Sequence, residues 1–270
     1  MKKIMNFLLM AVTVCGISLA AASCSSNDDN PATPDLNLSE KIIGKWLTDE
    51  STGHLTLTNY KRVYTFASAT KAYISASHNT TEGDIRWDKQ MEADVAIDGN
   101  KVTLIMHPNE GETMMEEYVV TAINGNEFTA NHKTTVTAGS DVVFSVEDVV
   151  RYVKQPANYS AAIVGTWQGR CTSEGSVFDD GQEHRWEYKA DGTFVYYVKD
   201  GDSWVPSDNS LNEYFVDGTL LCTRWIDNEV ENREWWEITI DGDKMNWTAL
   251  RQNPDGTTFT ATFEMTKVVE

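Results

Sequence analysis

A near-repeat of five residues limits most strongly what this 270-residue chain can fold into. Ile-Ile-Gly-Lys-Trp at 42–46 returns as Ile-Val-Gly-Thr-Trp at 163–167, about 120 residues later. The residues that follow each copy also correspond in pattern, with 61–75 matching 184–198 and 146–154 matching 262–270. A period of this length is too long for a solenoid and is typical of a duplicated domain.

The repeat therefore predicts two copies of one fold in tandem. The first copy is expected at 40–154 and the second at 163–270. Residues 155–162 between them contain Pro156 and small polar side chains, which favours a short linker.

Both copies have the pattern of short antiparallel strands. Residues 185–189 alternate polar and aromatic side chains, the period of a strand with one buried face. Asp-Gly and Asn-Gly pairs, which favour the positive φ of tight hairpins, separate such runs at Asp98, Asn124, Asp191, Asp217, Asp241 and Asp255. Only the segment around 38–43 has a helical pattern. A meander of about eight strands in each copy can close on itself, so we expect an all-β chain of two up-and-down antiparallel barrels.

Gly44-Lys45-Trp46 and Gly165-Thr166-Trp167, which open the two meanders, resemble the Gly-x-Trp motif of lipocalins. The similarity is greatest to tandem lipocalin-like domain lipoproteins of the Bacteroidetes type. It implies that Gly44 and Gly165 lie on the first strand of each barrel and that the indoles of Trp46 and Trp167 close one end. The second lipocalin motif, Thr-Asp-Tyr, is missing.

The same resemblance implies a basic side chain near the last strand that packs over the indole. Matching the two chain segments places Arg151 over Trp46 and Lys267 over Trp167, each in a cation–π contact.

The first 23 residues have the order of a secretory signal peptide. A positive start is followed by an apolar run, too short for a membrane span, that ends in small residues directly before Cys24. Residues 21–24 resemble a bacterial lipobox, which implies that Cys24 is lipidated, with palmitate among the acyl chains. The alternative is an ordinary cleaved signal with an incidental cysteine.

Residues 24–39 are polar and are expected to form a flexible tether. Acyl chains on Cys24 would hold the protein at the outer membrane without a transmembrane helix. Asp28 and Asp29 resemble a surface-export signal, which favours the cell surface over the periplasmic face of that membrane.

Charge excludes nucleic acid as a partner. The formal net charge is −19, and residues 163–270 alone carry 21 acidic against 9 basic side chains. A surface this acidic repels phosphate backbones.

No catalytic or metal-binding motif stands out, and the sequence predicts neither enzymatic activity nor a cofactor. The five histidines show no ligand spacing, and both the G-x-S-x-G nucleophile turn and the glycine-rich phosphate loop are missing. Cys171 and Cys222 leave two readings open, a disulfide or two buried thiols.

Tryptophan is unevenly distributed, since seven of the nine lie in the second copy. Alternation predicts that Trp186, Trp236 and Trp247 point inward and that Trp235 points outward. Trp204 lies in a segment with loop composition. Exposed indoles at Trp204 and Trp235 would suit a glycan or a partner protein, although both can equally cover the barrel from outside.

Two functions follow as hypotheses. The first is non-catalytic binding of a small amphipathic or lipophilic molecule inside a barrel; the alternative is a surface module with filled barrels that binds a glycan or protein. Because an eight-stranded barrel has a narrow interior, the Trp-rich second copy should leave little room. The first copy is then the better container, with smaller lining candidates Val95, Ile97, Val102, Leu104, Val119, Ala122 and Thr129.

Overall fold

The computed structural model describes residues 36–49, 60–78, 87–174, 176 and 178–269. Within these ranges one short helix, α1 (Leu38–Lys41), precedes seventeen strands, so the all-β fold class is confirmed. The signal peptide, the predicted lipidation site Cys24 and most of the tether lie outside the described residues. No helix in the described part is long and apolar enough to cross a membrane.

The first sheet is a closed barrel of eight antiparallel strands, which we call the first lobe. Each strand pairs with the next along the chain, and the last returns to the first, where Lys154 lies opposite Trp46. Closure leaves no unpaired strand edge. The strands are β1 (Gly44–Thr48), β2 (Tyr60–Ser68), β3 (Lys71–His78), β4 (Trp87–Asp98), β5 (Lys101–Met106), β6 (Glu112–Ile123), β7 (Glu127–Ala138) and β8 (Asp141–Lys154).

The second sheet, which we call the second lobe, has nine strands in the order β12-β11-β10-β9-β17-β16-β15-β14-β13. It begins like the first, because its first strand pairs with its last and sets Trp167 opposite Lys267. The strands are β9 (Gly165–Cys171), β10 (His184–Tyr188), β11 (Phe194–Asp200), β12 (Ser203–Pro206), β13 (Ser210–Asp217), β14 (Leu220–Asp227), β15 (Val230–Asp241), β16 (Lys244–Gln252) and β17 (Thr258–Lys267).

The second lobe is a curled barrel with an open seam, and this differs from the closed barrel that the repeat predicts. The two edges of the sheet meet at a single bridge between Thr193 and Glu213, beside which the Tyr214 N–H donates to the Gly192 carbonyl at 2.8 Å. Beyond that point β12 folds back onto the edge of β11 and occupies it. Because a strand edge accepts one neighbour, β13 cannot pair there, and the seam stays open.

The repeated pentapeptide forms the same structure in both lobes. The indole N–H of Trp46 donates to the Ile42 carbonyl at 2.6 Å, and that of Trp167 donates to the Ile163 carbonyl at 2.6 Å. All four side chains are fully buried. Residue one of the motif therefore accepts the hydrogen bond of residue five, which satisfies the buried indole N–H in each lobe.

The glycine of the motif makes room for a lysine. Gly44 and Gly165 have φ of +131° and +129°, a region that favours glycine. A Cβ on Gly44 would lie 3.0 Å from Lys154 Cε, and one on Gly165 would lie 2.8 Å from Lys267 Cε. The lysine stem crosses the glycine and brings its ammonium over the indole.

The structure places Lys267 Nζ 5.2 Å from the ring centroid of Trp167, whereas Lys154 rather than Arg151 takes the equivalent position over Trp46, at 5.3 Å. The prediction of Arg151 at this position is therefore wrong. Arg151 forms salt bridges with Asp49 and Glu127 instead. It lies three residues earlier on β8 and so points to the opposite side of the strand from Lys154.

The two lobes pack against each other through the outer faces of β1–β3 and β13–β15. Lys61, almost fully buried, forms a salt bridge with Glu237, and Lys45 forms one with Asp217. Ser75 Oγ donates to the second oxygen of Asp217 at 2.7 Å. Leu47 and Val63 of the first lobe belong to the same apolar cluster as the core of the second, so the interface is continuous with that core.

Trp235 lies in this interface, which excludes the reading of an exposed indole. It points outward from its own sheet, as alternation predicts, but the first lobe covers it completely, with Lys61 Nζ 5.2 Å from the ring centroid. A candidate contact for an outside partner is thus a contact between the lobes.

Candidate ligand cavity in the second lobe

A cavity of about 460 Å³ opens into the second lobe. Its wall draws on both sides of the seam, with Tyr196 and Val198 from β11 on one side and Thr223 and Trp225 from β14 on the other. The volume falls in the range of small-molecule sites, about 300–1,000 Å³.

Four rings form an aromatic cluster in the cavity wall: Trp186, Trp236, Trp247 and Phe263. Trp247 is its centre, with ring centroids 4.8 Å from Trp186, 5.4 Å from Trp236 and 5.7 Å from Phe263. The three tryptophans lie on the inner face of the sheet, which is the face that alternation predicts. The rings are in contact with one another and therefore present one continuous apolar surface.

The cavity lies in the lobe that the sequence predicted to be full. Large rings do not fill the second lobe because they stack along its wall and the seam widens it. In the first lobe the predicted lining is partly wrong. Val119 is 39% exposed and Thr129 is only partly buried, because each alternates with buried neighbours on its strand. A register shift after Val120 leaves Ala122 exposed as well.

A buried polar cluster lies inside the first lobe. The Glu116 carboxylate accepts hydrogen bonds from Arg62 Nη1 at 2.8 Å, from Tyr118 Oη at 2.7 Å and from Tyr64 Oη at 2.9 Å. Burial alone would raise the pKa of Glu116, but the Arg62 charge and the other neighbouring donors outweigh it and lower that pKa. Sequence reasoning missed this cluster, although Glu116 shares its strand face with buried Met114 and Tyr118.

Carboxylates and a histidine surround the apolar surface of the cavity. The His184 ring lies against Trp186 with centroids 5.5 Å apart, and its nitrogens contact Tyr196 Oη at 2.9 Å and Asp180 Oδ1 at 3.2 Å. Asp227 also lines the wall and is exposed. These groups give the cavity a polar side next to its aromatic one.

Glu234 carries a partly buried carboxylate in the cavity wall. Trp236 Nε1 donates to it at 3.0 Å. Burial raises the pKa of Glu234, and the nearby Arg251 charge offsets this only in part. Arg251 lies 4.5 Å from the Trp236 centroid and directs N–H groups to the backbone carbonyls of Trp235 and Leu250.

Three buried polar atoms in the cavity wall have no hydrogen-bond partner among the described residues. They are Tyr188 Oη, Trp247 Nε1 and Ser207 Oγ. Buried polar groups are almost always hydrogen-bonded in folded proteins. Their place in a cavity wall makes water or a ligand the natural partner.

The remaining predicted site residues lie away from the cavity. Trp204 is on β12 rather than in a loop; its indole is half-buried, with Arg185 Cζ 4.5 Å and Lys199 Nζ 5.7 Å from the ring centroid. It pairs with Lys199 on the outer face of the sheet.

Cys171 and Cys222 are free thiols, which excludes the disulfide reading. Cys171 pairs with Phe263 and shares the inner face of the sheet, whereas Cys222 pairs with Trp235 on the outer face. Two cysteines on opposite faces of a sheet cannot bring their sulfur atoms together.

No protein-family model and no curated protein matches this chain. Two solved structures are distantly similar. The first is a double mutant of the vaccine antigen transferrin binding protein B from Haemophilus parasuis Hp5, at 9% identity and a TM-score of 0.23, over 78% of this chain and 54% of that one. The second is intact Ap-TbpB with its N and C lobes, at 10% identity and a TM-score of 0.20, over 78% and 52%. The chain spans about half the length of each, and TM-scores this low transfer neither partner nor mechanism.

Proposed function

We propose that this chain is a non-catalytic, lipid-anchored protein of the outer membrane that binds a small amphipathic molecule in the cavity of its second lobe. The observation that carries the proposal is the cavity of about 460 Å³ with three buried, unpartnered polar atoms in its wall. A bound molecule would satisfy those atoms and cover the aromatic cluster at the same time.

The composition of the wall supports an amphipathic ligand over a purely lipophilic one. Nine aromatic side chains line the cavity, against one aliphatic side chain, Val198. Flexible acyl chains are usually enclosed by aliphatic side chains, whereas flat rings suit a compact molecule with an apolar face. The carboxylates and amide around the rings supply hydrogen bonds for its polar face.

The anchor and the placement at the cell surface rest on the sequence. Cys24 would carry the lipid, residues 24–39 would form the tether, and the two lobes would begin near residues 40 and 163 as tandem domains. Metabolic labelling with an alkyne analogue of palmitate tests the anchor, since a Cys24→Ser variant should lose the label. Protease treatment of intact cells distinguishes the cell surface from the periplasmic face.

Binding is tested with the neutral fluorescent amphiphile N-phenyl-1-naphthylamine and the full chain. Val198 lies at the cavity wall and is 41% exposed, so a Val198→Trp variant should fill the cavity without disturbing the core. Val119, similarly exposed at 39% on β6 of the first lobe and outside the cavity wall, gives the matched control Val119→Trp. We expect saturable binding that Val198→Trp abolishes and Val119→Trp retains. Equal binding by both variants would place the probe elsewhere and refute the proposal.

The rival function, a surface module for a glycan or protein, loses support at Trp235, which the first lobe buries. It then depends on Trp204, half-covered by Arg185. A partner whose binding falls in Trp204→Ala and not in Val198→Trp would favour the rival.

A further inference from the structure

The charged side chains that line the cavity are all acidic. In the described part of the chain the wall contains Asp180, Asp227 and Glu234 and neither Lys nor Arg. Asp180 contacts His184, and Asp227 lies near solvent, so Glu234 is the carboxylate placed in the interior. The second lobe around it is strongly acidic as a whole, which attracts cations toward the opening and repels anions.

The Glu234 carboxylate has capacity left for a cation. Trp236 supplies one neutral hydrogen bond to it, and two N–H groups of nearby Arg251 donate to backbone carbonyls. The Arg251 charge offsets the cost of burying this carboxylate only in part. A ligand that brings a positive charge into the cavity would offset the rest.

The aromatic cluster favours the same kind of ligand. The faces of Trp186, Trp236 and Trp247 carry negative π density, and they line the cavity that Glu234 shares. Indole is the best of the aromatic rings for attracting an ammonium group, and attraction strengthens where water is excluded.

The unpartnered atoms indicate a second feature of the ligand. Trp247 Nε1 can only donate a hydrogen bond, and Tyr188 Oη can donate or accept one. A molecule with a hydroxyl, ether or carbonyl oxygen beside its positive charge would satisfy both atoms. These two buried atoms are independent of the carboxylates and point to a ligand by themselves.

We infer that the ligand of the second lobe is an organic cation: a quaternary or protonated ammonium compound with a nearby oxygen acceptor, bound between Glu234 and the tryptophans. This inference rests on the proposed binding function and narrows it to one chemical class. Fatty acids and other anionic amphiphiles would meet three carboxylates and are excluded. A neutral sugar ring could stack on the indoles and donate hydroxyl hydrogen bonds to Glu234, but it brings no positive charge to offset that carboxylate.

Two isosteric probes separate charge from shape. Choline and 3,3-dimethyl-1-butanol differ by a positive nitrogen in place of a carbon, and methyl β-D-glucopyranoside represents the sugars. With the full chain we expect calorimetry or displacement of N-phenyl-1-naphthylamine to give choline an affinity at least about tenfold above its neutral isostere. Added salt should weaken choline binding alone.

The variant Glu234→Gln keeps the shape and the acceptor for Trp236 while removing the charge. It should abolish the preference for choline over its isostere and leave the isostere unchanged. Glu231→Gln, on the same strand and paired with Arg233 on the outer face, is the matched control and should bind as the wild type does. If Glu234→Gln does not fold, the affinities of wild-type protein for choline and its neutral isostere still test whether the site prefers a cation.

The binding measurements distinguish a failure of the cation inference from a failure of the proposed binding function. Binding of the neutral isostere or the glucoside as strong as that of choline overturns the cation inference while the binding function stands. If choline, glucoside and N-phenyl-1-naphthylamine all fail to bind, the proposed function fails with it.

Discussion

Replacing Gly165 with alanine tests why the five-residue motif is repeated. At φ +129° an alanine is strained, at a cost of about 1–3 kcal/mol. Its Cβ would also lie 2.8 Å from Lys267 Cε and push the ammonium off Trp167, a further loss of about 0.5–2 kcal/mol. We therefore expect Gly165→Ala to lower the free energy of unfolding by about 1.5–5 kcal/mol.

The assay is guanidinium denaturation followed by tryptophan fluorescence. Gly242→Ala is the control, because Gly242 has φ +58° but open space around its Cβ position. Its cost should stay near the strain alone, about 1–2 kcal/mol.

A double-mutant cycle isolates the contact between glycine and lysine. Lys267→Ala removes the stem that the new methyl group meets. The double variant should therefore lose about 1 kcal/mol less than the sum of the single losses. Strict additivity, or a Gly165→Ala cost no greater than that of Gly242→Ala, would refute the role given to the motif.

Three further predictions concern the rest of the fold. Lys61→Met should cost about 2 kcal/mol, because it breaks a largely buried pair with Glu237, and calorimetry should then resolve separate transitions of the two lobes. Glu116 has a lowered pKa, so its contribution to stability is present above the unfolded value of about 4.3 and is lost as pH falls through the lower folded value. Acid titration of Glu116→Gln by circular dichroism should lack that loss. Burial raises the pKa of the Cys222 thiol, so it should react with a disulfide reagent only after denaturation.

Features that depend on local sequence were predictable. Alternation on each strand was sufficient to orient Trp186, Trp236 and Trp247 inward, and Asp-Gly pairs marked the hairpins. The motif also located the first strand of each lobe, since Trp46 and Trp167 are buried where the resemblance implies.

Features that depend on register or on the other lobe were not predictable. Aligning the last strands of the two copies end to end selected Arg151, whereas Lys154, three residues later, lies opposite Trp46. The alignment failed because nothing in the sequence fixes how far each last strand extends past the indole. Trp235 was correctly assigned to the outer face, yet a strand pattern contains no information on whether another lobe covers that face. The seam likewise depends on β12 occupying the edge of β11, a pairing that no local strand pattern determines.

The two lobes differ in their interiors although both contain a Gly-x-Trp motif whose tryptophan is buried. In the first lobe Glu116 and its donors lie in the interior, and every strand of the barrel is paired on both sides. In the second, the extra hairpin of β11 and β12 leaves the seam through which the cavity opens.

The interface between the lobes includes β13, the strand that borders the seam of the second lobe. The first lobe packs on β13–β15, and β13 forms one edge of the seam. Asp217 at the end of that strand is held by Lys45 and Ser75, and its Phe215 ring lies 4.9 Å from Trp87 of the first lobe. An edge strand that lacks a neighbour on one side is the least restrained part of a sheet. These contacts with the first lobe hold the outer face of β13 where it borders the seam.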